Sequence, residues 1–149
     1  MSNTSSPNAV PPRAPGASLP QVGESAEWTR EVTHAAIQQF ADATGDHNPV
    51  HLDDAAAART RFGGRIAHGM LSAGFVSAAI AGVLPGPGSI YLSQSLRFAR
   101  PVRPGDAVTV RLEVLEVHAA RRRVRLATVC TNQRGEVVVD GEAVVMVPA

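Results

Sequence analysis

Apolar residues recur along this chain in two rhythms. Val108, Val110, Leu112 and Val114 alternate with polar neighbours in DAVTVRLEVLEV, and Val124, Leu126, Thr128 and Cys130 alternate in RVRLATVCTN. Ile90, Leu92, Leu96 and Phe98 do the same in SIYLSQSLRFARP, and EVVVDGEAVVMV closes the chain. A period of two puts every second side chain on one face, which predicts strands with one buried face. The breaks PVRPGD, HAARR and NQRGE read as short turns, so these runs predict an antiparallel meander. The other rhythm is helical. WTREV, within 27–32, predicts a short strand, after which Thr33 can cap a helix with His34, Ala35, Ile37, Phe40 and Ala41 as its apolar stripe and Gly45 as its stop. Asp53 and Asp54 can cap a short helix over AAAART, followed by the Gly-rich loop FGGRIAHG. The segment 68–84, HGMLSAGFVSAAIAGVL, has almost no polar side chain beyond two Ser and one His, and PGPG stops it. A helix apolar all round is predicted to be buried, and the strands are what can bury it. One long buried helix against a curved antiparallel sheet is an α+β architecture, the arrangement of the hot-dog fold.

Composition narrows this without redirecting it. At 149 residues the chain suits one domain with a real core. Residues 1–20 hold five Pro among Ser, Ala and Asn and predict a flexible tail, leaving 21–149 as the folded unit. A net charge of +1 gives no field that would gather nucleic acid or a membrane surface. The single cysteine, Cys130, allows no internal disulfide and reads as a small core residue. No run of apolar residues is long enough to span a bilayer, and no charged segment followed by an apolar one marks a signal peptide, so a cytoplasmic protein is expected.

The chemistry gathers in Gly45–His51, GDHNPVH, where an acid, an amide and two imidazoles share an irregular stretch. Asp46 and His51 are the proton-handling candidates, and the turn favoured by Asn48 and Pro49 can bring them toward one water. Taken singly, Asp46 also suits a solvated cap, and His51 a packing histidine. Asn48 can orient Asp46 or the water through its amide. His47 and His51 are four apart, but Pro49 interrupts a helix that would pair them on a metal, so no metal is expected. Gly69 opens the apolar helix with unpaired N–H groups and no side chain. His68 beside it reads as holding the loop. Ser77, eight residues on, faces the same side, with back-bonding to its own helix the alternative. Arg121-Arg122-Arg123 reads as an exposed turn, with coenzyme A phosphates the alternative.

These residues resemble the MaoC-like (R)-specific enoyl-CoA hydratases, or hydratase 2. The resemblance runs from about Val22 to Pro148 through FADATGDHNPVHLDDAAA, IAHGMLSAGFVSAAI and GSIYLSQSLRFARPV, and the G-D-x-N-P-x-H motif is met without departure. It implies the hot-dog fold, an acyl-CoA thioester substrate, and reversible addition of water to trans-2-enoyl-CoA to give (R)-3-hydroxyacyl-CoA. Polyhydroxyalkanoate synthesis is the implied role. It also implies that Asp46 and His51 are the catalytic pair, that the Gly69 N–H is the oxyanion donor, and that Ser77 lies near the site. Neither metal nor organic cofactor is implied. An acyl chain running beside the helix would meet Ser77 and Ile80, with Val144 from the last strand as an alternative wall, and Ile80 would favour short substrates. The flat sheet edge predicts a homodimer. Rival readings are a hot-dog thioesterase, a non-catalytic acyl-CoA-binding subunit, and a dehydratase of carrier-protein thioesters. The intact motif argues against the first two. The third is the same reaction reversed, which the residues leave open.

Overall fold

The structure is a computed structural model that describes residues 18–149. The predicted tail falls mainly on residues 1–17, outside the described residues; of its last three, Leu19 packs against the core and Pro20 is buried.

Strand β1 (Ser25–Glu31) leads into α1 (His34–Thr44), α2 (Pro49–Leu52), α3 (Asp54–Ala58) and the long α4 (Gly69–Gly82). Strands β2 (Ile90–Gln94), β3 (Arg97–Phe98), β4 (Ala107–His118), β5 (Arg123–Thr131) and β6 (Val137–Met146) follow. The sheet order is β1-β4-β5-β6-β2, with β3 also on β6, and the pairings are antiparallel. The predicted meander is therefore β4-β5-β6 alone. The earlier strands return to its flanks, a long-range pairing that periodicity does not encode.

Local chemistry explains the helix limits. The Thr33 hydroxyl accepts from Ala36 N–H at the start of α1, and Gly45 ends it at φ 80°, a left-handed conformation that suits glycine. Pro49 does not exclude helix from the motif. It occupies the first turn of α2, where a missing N–H costs nothing, and Asn48 caps that turn by accepting from Val50 N–H.

The core lies between α4 and the inward face of the meander. Val108, Val110, Leu112, Val124, Leu126 and Cys130 are wholly buried, as their alternation predicts, and Val76, Ala79 and Ile80 meet them from the helix. Burying each of the larger aliphatic side chains stabilises the fold by about 1.5–3 kcal/mol. Two predictions of burial fail. The helix is not buried all round: Met70, Gly74, Ala78 and Ala81, spaced three or four apart, form an exposed stripe. Ile90, Leu92 and Phe98 are also exposed, because β2 is an edge strand and β3 is two residues long. At Gly141 the backbone of Ser95 passes so close that any Cβ would collide with its carbonyl, which is how β6 admits the β2–β3 connection.

Candidate active site

Three segments meet at the N-terminus of α4. The motif loop leaves α1 at Gly45, α2 carries His51, and the extended stretch 66–68 leads into the helix. Hydrogen bonds lock the first two onto the third. Ile66 N–H donates to Val50 C=O (3.2 Å), His51 Nδ1 to Ile66 C=O (2.7 Å), and His68 Nε2 to Asp46 C=O (3.0 Å). A carbonyl only accepts, so His51 carries its hydrogen on Nδ1, and the neutral ring keeps the Nε2 lone pair for another partner.

One carboxylate oxygen of Asp46, one ring nitrogen of His51 and one of His68 lie within 4.8 Å of one another. A water making two hydrogen bonds of ~2.8 Å at a tetrahedral angle spans about 4.6 Å, so groups within 4.8 Å of each other are close enough to share one water. His51 is buried and Asp46 exposed, which puts the pair at a surface opening. The acid is held by backbone: Asp46 Oδ1 accepts from Asn48 N–H at 3.3 Å. The Asn48 side chain thus differs from its expected role, because its carbonyl oxygen caps α2 and it is the main-chain N–H that orients Asp46. His47 turns away to Asp42 (3.2 Å), so the histidine beside His51 is His68. The His51 and His68 rings stack with centroids 3.8 Å apart and planes at 30°. Stacked rings aim their in-plane lone pairs alongside each other instead of at a common point, a poor arrangement for joint metal coordination.

A cavity of about 400 Å³ opens beside this pair, lined by His51, Gly69, Ser72, Phe98 and, at its basic side, Arg61 and Arg100. Gly69 is the first residue of α4, where helix N–H groups lack intrahelical partners. Its bare Cα is also a packing need, since a Cβ there would come within 2.6 Å of the Phe98 ring. Ser72 Oγ is buried without a hydrogen-bond partner on the wall of this cavity. A second cleft of about 590 Å³ continues along the exposed face of α4, lined by Phe40, Met70, Gly74, Ser77, Tyr91 and Gln94. Met70 borders both.

Ser77 lines this second cleft rather than the His51 cavity, and the other two predicted wall residues line neither. Ile80 is 2% exposed and packs into the core, because it stands one turn past Val76 on the helix face that meets the sheet. Val144 points to the opposite face of β6 from the buried Ala143 and Val145, into a hollow with Glu116, His118, Arg121, Arg123 and Arg125. That position also separates Arg121 and Arg123 from the His51 cavity. Arg61, Arg100, Phe98 and Ser72 escaped the sequence reading as cavity residues, and so did the bond and stack by which His68 meets Asp46 and His51. The arginines are single charges in loops, and only the fold brings them to one opening.

A curved antiparallel sheet packed on one long helix, with an acid and an imidazole at the helix N-terminus, defines a hot-dog fold with its polar site at the helix start. The MaoC like domain model matches residues 18–135. The chain is 50% identical to a 3-hydroxybutyryl-CoA dehydratase of Methylorubrum extorquens, over 86% of this chain and 81% of that one. Among solved structures it is similar to the unliganded R-hydratase PhaJ1 of Pseudomonas aeruginosa, with 58% identity, a TM-score of 0.82, and coverage of 86% of this chain and 82% of that one. It is also similar to the (R)-hydratase of Aeromonas caviae involved in PHA biosynthesis, with 42% identity, a TM-score of 0.85, and coverage of 89% and 100%. The chain belongs to the MaoC-like domain family.

Proposed function

We propose that this protein is an (R)-specific enoyl-CoA hydratase, a hydro-lyase that adds water reversibly to trans-2-enoyl-CoA and gives (R)-3-hydroxyacyl-CoA. One observation carries the reading: the Asp46 carboxylate and the His51 ring lie within 4.8 Å of each other, close enough to share one water, and His51 and Gly69 line one cavity at the N-terminus of α4. Relatives named for this reaction and for its reverse support it.

The chemistry follows from the geometry. The water rests between the Asp46 carboxylate and the His51 Nε2 lone pair. Its oxygen attacks C3 as His51 takes one of its protons. The C2–C3 π bond moves toward the thioester, whose oxygen gains negative charge and receives the Gly69 N–H at the positive end of the helix dipole. The proton on His51 then passes to C2, which restores the site and balances the addition. Arg61 and Arg100 suit the phosphates of coenzyme A, and the cleft past Met70 toward Ser77 suits the acyl chain. Reaction components are thus supplied by the chain and its substrate, with neither metal nor organic cofactor in the scheme.

The exposed stripe of α4 and the open β2 edge, with Ile90, Tyr91 and Leu92 outward, favour a homodimer that covers both. Among the described residues no helix is long and apolar enough to cross a membrane, in keeping with a cytoplasmic role supplying (R)-3-hydroxyacyl-CoA for polyhydroxyalkanoate synthesis. The test is incubation with crotonyl-CoA, following loss of the conjugated enoyl thioester and typing the product with dehydrogenases of opposite stereospecificity. Product oxidised by the (R)-specific enzyme is expected. Release of free thiol without hydration, or an (S) product, would contradict the proposal.

A further inference from the structure

The pair's placement is set by a residue outside the motif. His68 is 3% exposed, and its ring touches the site in two ways. Its Nε2 donates to the Asp46 carbonyl at 3.0 Å, and its face stacks on His51 at 3.8 Å, with Phe40 at 4.6 Å. The Asp46 carbonyl bond spans 22 residues, whereas the other bonds at Asp46, from its N–H to Thr44 Oγ1 and from the Asn48 N–H to its carboxylate, are local to the loop. Only His68 therefore ties the Asp46 peptide to the helix-start segment among the described residues. That segment is itself anchored, since Ala67 N–H donates to Val102 C=O at 2.7 Å, and the next residue after His68 is Gly69. A side chain needed only for packing here could be fully apolar. Instead, a buried ring spends its Nε2–H on the one main-chain oxygen of the residue that bears the carboxylate, while its Nδ1 is left without a partner.

We infer that His68 is a positioning residue that sets the spacing between Asp46, His51 and the Gly69 N–H. The bond to Asp46 C=O fixes the carboxylate's loop against the helix start, and the stack fixes the plane of the His51 ring. Both halves of the chemistry are thereby referred to one short segment, 66–69. The kinetic consequence rests on the hydratase reading above. The structural consequence does not.

Two variants separate the ring from its donor. His68→Phe keeps an aromatic face for His51 but cannot donate to Asp46. His68→Gln lacks the ring, but its amide nitrogen stands at about the same reach as Nε2 and can donate. With crotonyl-CoA, His68→Phe should lower kcat by about 100-fold, the effect of a displacement on the order of 1 Å in a reacting group, with KM little changed. His68→Gln should recover part of that loss. Independently of activity, the Asp46 carbonyl carbon-13 resonance should shift upfield in His68→Phe and move back in His68→Gln. The inference is overturned by a His68→Phe protein with wild-type kcat, or by an Asp46 resonance unmoved in both variants. If wild type hydrates nothing, the hydratase reading fails, and the carbonyl resonance alone decides the role of His68. Should His68→Phe not fold, His68→Gln decides it: a near-native Asp46 resonance supports the donor role, and a fully displaced one refutes it.

Discussion

Val144 and Val145 are neighbours in sequence and face opposite ways, and that one-residue difference decides what each does. Val145 is buried under α4, whereas Val144 lies on the far side of the sheet among charged residues. Two adjacent valines hide which face is which, since strand register depends on pairing partners rather than on composition. The motif itself was legible because GDHNPVH confines the acid and imidazole to one loop. The bonds that place them were not, because Ile66 and His68 come from elsewhere in the chain. Cys130 is a residue whose sequence reading the structure bears out. Burial pushes its thiol from the ordinary 9.0 up to about 12, so folding favours the neutral form. A group raised in the folded state contributes its stability fully below its unfolded value and loses it as pH climbs toward the folded one. Stability should therefore fall between about pH 9 and 12, and Tyr91, whose half-covered phenol is raised to about 12 by partial desolvation, adds in the same sense to a smaller extent. Melting temperatures of wild type and Cys130→Ala across that range test this: the variant should show a shallower alkaline decline, and an equal decline would refute it.

At the scale of elements, α4 shows what periodicity tells and withholds. Its extent, 69–82, was readable from the apolar run and the PGPG stop. Its orientation was not, because a helix apolar on every side carries no amphipathic signal to say which face meets the sheet. The sheet takes Val76, Ala79 and Ile80, and leaves Met70, Gly74 and Ser77 for the cleft. This reverses the expected role of Ile80. Trimming it should open the core, so Ile80→Ala should cost about 2–5 kcal/mol in chemical denaturation. The relative turnover of four- to eight-carbon enoyl thioesters should stay as in wild type. A longer chain preference with unchanged stability would return Ile80 to the acyl wall.

At the scale of the whole molecule, the described residues leave one apolar face uncovered. Met70 on α4 and Tyr91 and Leu92 on β2 are exposed and border one apolar cleft. The sequence placed apolar residues there and could not show that the sheet would stop short of them, which follows from β2 being an edge. If a second copy covers this face, a charge at its centre must be desolvated on association. Leu92→Glu should then shift a dimer to monomer in sedimentation, and an unchanged mass would place the interface elsewhere. The cavity at the head of α4 opens close to that face, so the pair in GDHNPVH would work beside the interface. The account rests above all on that pair sharing one water, and the most direct test is the kcat for crotonyl-CoA hydration by wild type, Asp46→Asn and His51→Ala, each with its circular dichroism checked. Both variants are predicted to keep the fold and to lose about 10²–10⁴-fold in kcat, His51→Ala by removing the proton carrier and Asp46→Asn by removing the carboxylate that holds the water. Near-wild-type turnover by either, with the fold intact, would contradict it.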